Sequence, residues 1–170
     1  MGGLAAKRFT RLTESQRLSA REAHSRITEV TNIGALTLNR IILSIFAPVL
    51  ILTGIAGSFV PPQFSLTSGA APYNMFHIVF GLIGLLMVFS GRPQPVCFFN
   101  LIFGLIDLYQ AVASYLNLPP KQLFLWTRVD DILHVVLGVA LFLIGLYGIL
   151  KVKEALRRVQ PYPHLKKPVV

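Results

Sequence analysis

The chain has 170 residues, 54% hydrophobic and 14% charged, with 16 Lys and Arg against 7 Asp and Glu and a net charge of +9. Soluble domains carry nearer a quarter of their residues as charges, and here the apolar residues fall in long blocks bounded by polar tails, which calls for lipid as solvent. The basic residues flank those blocks without any nucleic-acid motif, so no nucleic-acid partner is expected. The single cysteine, Cys97, excludes an internal disulfide and a cysteine-based metal motif.

Residues 1–37 form a polar, charged N-terminal arm. Thr13 and Gln16 have capping-box spacing, and Leu18, Arg21, Arg26 and Val30 suit either a helix lying along a membrane or a partly disordered, partner-docking arm. The first apolar block comes only after this arm and is longer than a signal-peptide core, which argues against a cleaved secretory signal. Four transmembrane helices follow in residues 38–150. The first spans Leu38–Val60, carries Pro48 and ends at Pro61-Pro62. The second spans Asn74–Gly91 and ends at Gly91-Arg92-Pro93, the third spans Val96–Leu116 before Pro119-Pro120, and the fourth spans Asp130–Leu150. At about 1.5 Å per residue, each matches a hydrocarbon layer of about 30 Å. Residues 151–170 form a C-terminal tail whose stretch Tyr162–Pro168 reads as extended.

Charge sets the direction. All the Lys and Arg residues except Arg92, Lys121 and Arg128 lie before or at the start of the first span or after the last. The positive-inside rule therefore places both termini in the cytoplasm, with attraction to anionic membrane lipids as a secondary effect. Tyr73, Tyr115, Trp126, Tyr147 and Tyr162 fall near the expected interfaces, as anchoring aromatics do.

A weak internal repeat divides the all-α membrane domain into two helical hairpins. The segment Asn74–Gly81 resembles Asp131–Gly138 at an offset of 57 residues, and the same offset relates Gly91 to Gly148. Both hairpins start on the same side, so the four-helix bundle is a pair of parallel-related hairpins rather than an inverted repeat. His77 and His134 then occupy similar depths near the outer face. Gly81 and Gly138, four residues beyond them, with Gly84 and Gly104, offer small surfaces for close helix packing or for a bound group.

The polar residues inside the spans allow several readings. Asn74 and Asp131 are placed to cap outer helix starts, Thr127 and Asp130 have capping-box spacing, and Asp131 could instead orient His134. Asp107 lies mid-span on a face shared with Asn100 and close to Gln110, where an unpaired carboxylate carries a desolvation cost. These three residues suit an interhelical hydrogen-bonded core, a proton or substrate path, or a ligand site. His77 and His134 are candidate ligands for haem or chlorophyll, or partners in helix–helix hydrogen bonds. No hydrolase, phosphate-loop or zinc motif is present, so no catalytic residue is assigned.

Residues Asn74–Gly84, Asn100–Gln110 and Asp130–Gly138 together resemble a widespread family of uncharacterised four-span bacterial membrane proteins, over about residues 38–150. The resemblance implies a bacterial plasma or internal photosynthetic membrane and supplies no ligand or catalytic residue. The leading expectation is a non-catalytic accessory or assembly subunit of a larger membrane complex, docked through the N-terminal arm and the small-residue helix faces. The alternatives are a tetrapyrrole-binding module at His77 and His134, and a small transporter or proton-conducting unit at Asp107.

Overall fold

The computed structural model describes residues 14–61 and 64–159; Thr13, Pro62 and the Tyr162–Pro168 tail lie outside them. The described chain is helical, with α1 at Glu14–Phe59, α2 at Ala71–Phe89, α3 at Pro93–Leu116, a single turn α4 at Lys121–Phe124, and α5 at Arg128–Val159. Four of these, all but α4, are long and apolar enough to cross a membrane. Their outward surface is apolar along its length, including Ile45, Leu52, Leu86, Val136 and Leu143. Water would penalise a continuous apolar belt of this kind, and a bilayer would not. The chain is a multi-pass helical membrane protein.

The helix ends follow local chemistry more closely than apolar content. α1 runs without interruption through Pro48 and is 46 residues long, about 70 Å at 1.5 Å per residue. It therefore merges the expected arm and first span into one rod, well beyond the thickness of a hydrocarbon layer. α2 starts at Ala71 with Pro72 in its first turn, three residues before the expected start at Asn74. Pro93, read in the sequence as the end of the second span, instead opens α3. A first-turn proline loses no hydrogen bond, because that amide has no helical partner. The turn between α2 and α3 is short because Gly91 adopts a left-handed φ of +68°. Asn117, also left-handed, ends α3, and the Leu118 amide reaches back to Ala113 O at 2.8 Å.

Two hairpins make the bundle. α1 packs along α2 and α3 along α5, while α1 also meets α3 and α5. Small residues permit both approaches. A Cβ at Gly81 would lie 2.8 Å from the Ala47 carbonyl, and one at Gly104 would collide with the backbone of Phe142 and Gly138. These glycine faces are thus used within the bundle and are not left free for a partner. Leu43, Ala47, Leu50, Val88, Val96, Phe99, Phe103 and Leu141 form the buried core. Phe103 is its centre, edge-on to Phe46 at 5.4 Å and stacked on Phe99 at 5.5 Å.

Two glycine substitutions separate packing from propensity. Gly104→Leu is expected to destabilise the bundle by at least about 1–3 kcal/mol, since backbone on α5 cannot yield as a side chain can. Gly34 has nothing within 4 Å of an added Cβ, so Gly34→Ala should stabilise α1 by about 0.5–1 kcal/mol. Unfolding followed by far-UV circular dichroism in detergent checks both.

Candidate functional site

One end of the bundle carries the loops 60–70 and 117–127; toward the other lie the α2–α3 turn, the start of α1 and the end of α5. The polar residues form two separate groups, one toward each end.

The group toward the termini is a clasp between helices. Asn100 Nδ2 donates to Asn39 O at 3.1 Å and to Asn39 Oδ1 at 3.0 Å. Asn39 Nδ2 in turn donates to Ala35 O at 3.0 Å and to Ile144 O at 2.9 Å, so α1, α3 and α5 are joined at one point. Gly148 makes room for it, since a Cβ there would lie 2.5 Å from Asn39 Nδ2 and 2.5 Å from Cys97 Sγ. Asn100 therefore belongs to an interhelical core, apart from Asp107. Asn39 was not singled out in the sequence because it sits among polar residues at the edge of the first apolar block.

The two-loop end is organised by Asp130, which is fully buried. Its Oδ2 accepts from Ser68 N at 2.8 Å, Thr127 N at 2.7 Å and Thr127 Oγ1 at 2.9 Å, and its Oδ1 accepts from Tyr73 OH at 2.9 Å. The Asp130 amide returns to Thr127 Oγ1 at 3.3 Å, so the capping box legible in the sequence is present at the start of α5. Ser68, which also donates its hydroxyl to Phe124 O, ties the 60–70 loop to α4. One carboxylate thus holds this loop, α2 and α5 together.

Several expectations need correction here. Asn74 does not cap α2: the N-cap is Ala70, and Asn74 is buried in the first turn with its side-chain oxygen against Gly57. Asp131 does not orient His134. Its Oδ1 has no partner among the described residues, whereas Tyr73 OH, 3.4 Å from His134 Nε2, links that ring to Asp130. Tyr73 and Trp126 are 3% and 8% exposed, so they are core residues, unlike the exposed Tyr115 and Tyr147. Tyr73 and Asp130 are themselves related by the 57-residue offset, a signal the sequence contained.

Beneath this capped end lies a cavity of about 160 Å³, lined by Tyr73, His77, Asp107 and His134 with Thr53, Thr67 and apolar side chains. His77, Asp107 and His134 are 8%, 4% and 5% exposed. Asp107 makes no hydrogen bond among the described residues, and the Nδ1 atoms of His77 and His134 are likewise unpartnered. Gln110 is buried on α3 with an unpartnered Oε1, but it does not line this cavity. The tautomer of His134 follows from its neighbours. Tyr73 gives its one hydroxyl proton to Asp130, so its oxygen can only accept from His134 Nε2–H, leaving Nδ1 as an acceptor in the neutral ring.

The cavity does not suit a tetrapyrrole. The Tyr73 ring stands against both histidines, at 4.2 Å from His77 and 6.2 Å from His134, and the volume falls below the roughly 300 Å³ at which pockets for drug-sized ligands begin. Among the described residues, no three His, Cys, Asp or Glu groups converge to hold a metal ion. On the terminus side the Phe46–Phe103 ring pair forms a floor; toward the bundle surface, Val49 of α1 and Leu133 of α5 are lining residues that are themselves exposed.

The fold and site define a membrane-embedded helical bundle with a small, buried polar chamber. Comparison with known protein families, curated proteins and solved structures gives no match.

Removing the Tyr73 hydroxyl takes one charge-assisted bond from Asp130, so Tyr73→Phe should cost about 1.5–3 kcal/mol. Asp130→Ala strands the Ser68 and Thr127 donors together and should cost more. Hydrogen exchange resolves the cause: protection of the Ser68 and Thr127 amides should fall in Asp130→Ala and persist in Asn100→Leu.

Proposed function

We propose that this chain is a small non-catalytic membrane unit that takes a solute or proton into its bundle at Asp107, as a transporter or proton-conducting protein. One observation carries the reading: Asp107 is buried without a hydrogen-bond partner among the described residues and lines a cavity together with both repeated histidines. An intramembrane carboxylate of this kind is costly to keep and marks a functional path by default. The Phe46–Phe103 floor and the Asn39–Asn100 clasp separate the chamber from the terminus end, which fits one closed state of an alternating device. Both termini are assigned to the cytoplasm, in accord with exposed Arg40, Arg92, Lys153 and Arg157 at that end.

Flux measured after reconstitution into liposomes tests this directly. Asp107→Asn should abolish most of the proton or solute flux while leaving the folded bundle intact; undiminished flux in that variant would remove the reason for the proposal.

A second reading rests on α1. Its length carries the first several turns beyond the bundle, where Leu18, Val30 and Ile33 are exposed, and such an arm suits an accessory or assembly subunit docked on a larger membrane complex. A photocrosslinker placed at Arg26 in native membranes should give one discrete adduct, which the same probe at the exposed Tyr115, at the other end of the bundle, should not give. A monomer with no adduct would count against docking.

A further inference from the structure

The chamber at Asp107 has a chemical bias that narrows what it can hold. Its lining contains one carboxylic acid and no Lys or Arg. The neighbouring Asp130 is fully engaged by four donors, so it is not available to a ligand. What remains unpaired among the described residues is the Asp107 carboxyl group and the Nδ1 atoms of His77 and His134, the last an acceptor in the neutral ring. The surrounding walls are Phe46, Phe103, Leu50 and Leu137, with Tyr73 above. An anion would find no cation to pair with, and a neutral apolar molecule would leave the carboxylate desolvated and alone. A donor-rich cation with a short apolar body meets every group: charge against Asp107, an N–H toward an imidazole nitrogen, and aromatic rings for cation–π contact. Size sets the upper limit. A chamber of about 160 Å³ is close to the roughly 150 Å³ engineered cavity that accepts benzene, which allows about six non-hydrogen atoms.

We infer that the cavity formed by Asp107, His77, His134 and Tyr73 is a binding site for a small primary ammonium ion, entering between α1 and α5 where the lining residues Val49 and Leu133 reach the bundle surface. This rests on the proposal that Asp107 is a site of uptake, and it specifies the species taken up. Metal ions are a poorer fit because Asp107, His77 and His134 line the cavity without converging to hold one. The two histidines, equivalent in the repeat, then act as neutral acceptors on α2 and α5, facing a carboxylate on α3.

The full-length protein in nanodiscs offers an internal reporter. Trp126 is the only tryptophan in the chain, and its ring stands 5.5 Å from that of His134. Its fluorescence is followed at constant ionic strength with methylammonium, n-propylammonium, benzylammonium and the neutral 1-propanol. Saturable responses are expected to methylammonium and n-propylammonium, with a weaker response to the oversized benzylammonium and none to 1-propanol. Asp107→Asn should reduce the apparent affinity for n-propylammonium at least tenfold, and Arg92→Gln, at the other end of the bundle, should leave it unchanged. Equal responses to n-propylammonium and 1-propanol, or unaltered affinity in Asp107→Asn, overturn the inference. If Asp107→Asn does not fold, modification of Asp107 by a hydrophobic carbodiimide replaces it: n-propylammonium should slow the labelling at least threefold, and no protection overturns the inference. Proton flux that depends on Asp107 without any ammonium binding would overturn the ligand class and leave the uptake proposal standing. Neither flux nor binding dependent on Asp107 would overturn both.

Discussion

The buried Asp130 carboxylate is the interaction on which the two-loop end of this bundle depends. A fully desolvated carboxylate is tolerable only when its lone pairs are occupied, and here four donors from the 60–70 loop, Thr127 and Tyr73 occupy them. The consequence is mechanical as well as electrostatic. A loop of eleven residues that could lie loosely over the helix ends is fixed to α5, and the first turn of α2 is held beside the first turn of α5.

The same end of the molecule contrasts two carboxylates in similar burial. Asp130 is saturated with donors and so behaves as structure. Asp107, on α3, has none among the described residues and faces a chamber, which makes it the group most easily engaged by something outside the chain. Tyr73 links Asp130 to the chamber wall. By donating to Asp130 it fixes the tautomer of His134, and its ring fills space between the histidines that a larger cofactor would need. Structural and functional polar groups are thus separated by hydrogen-bond saturation, not by depth or residue type. Toward the termini, the Asn39–Asn100 clasp is closed on itself and the cavity beside the Phe99–Phe103 stack is lined by apolar side chains alone, so the bundle is asymmetric along its axis despite its repeated sequence.

Glycine explains how so short a chain can build this. Lipid tails give helices no hydrophobic reason to associate, so packing must come from close contact. Gly81 on α2 and its repeat equivalent Gly138 on α5 let each hairpin close tightly, with Gly54 and Gly57 serving α1 and Gly104 and Gly145 serving the second hairpin. That closeness brings helix backbones together and leaves the larger aromatic residues to fill the centre.

Much of the architecture was legible in the sequence because lipid imposes a simple rule: every backbone amide must bond within its own helix, so spans are long, apolar and bounded by polar residues. Four helices, their pairing into hairpins and the Thr127–Asp130 capping box follow from that rule and from local spacing. The boundaries were less legible, since prolines that look like terminators, such as Pro93, begin helices when they fall in the first turn. The site was only half legible. His77, Asp107 and His134 stood out because polar residues are expensive in an apolar span, and the structure brings those three to one cavity. It sends Asn100 to a different cluster, leaves Gln110 and Asp131 off the cavity wall, and gives the organising role to Asp130 and Tyr73. Which polar group is saturated and which is left open depends on partners 57 to 62 residues away. Helical periodicity fixes the face a residue presents, but only packing between helices decides what that face meets.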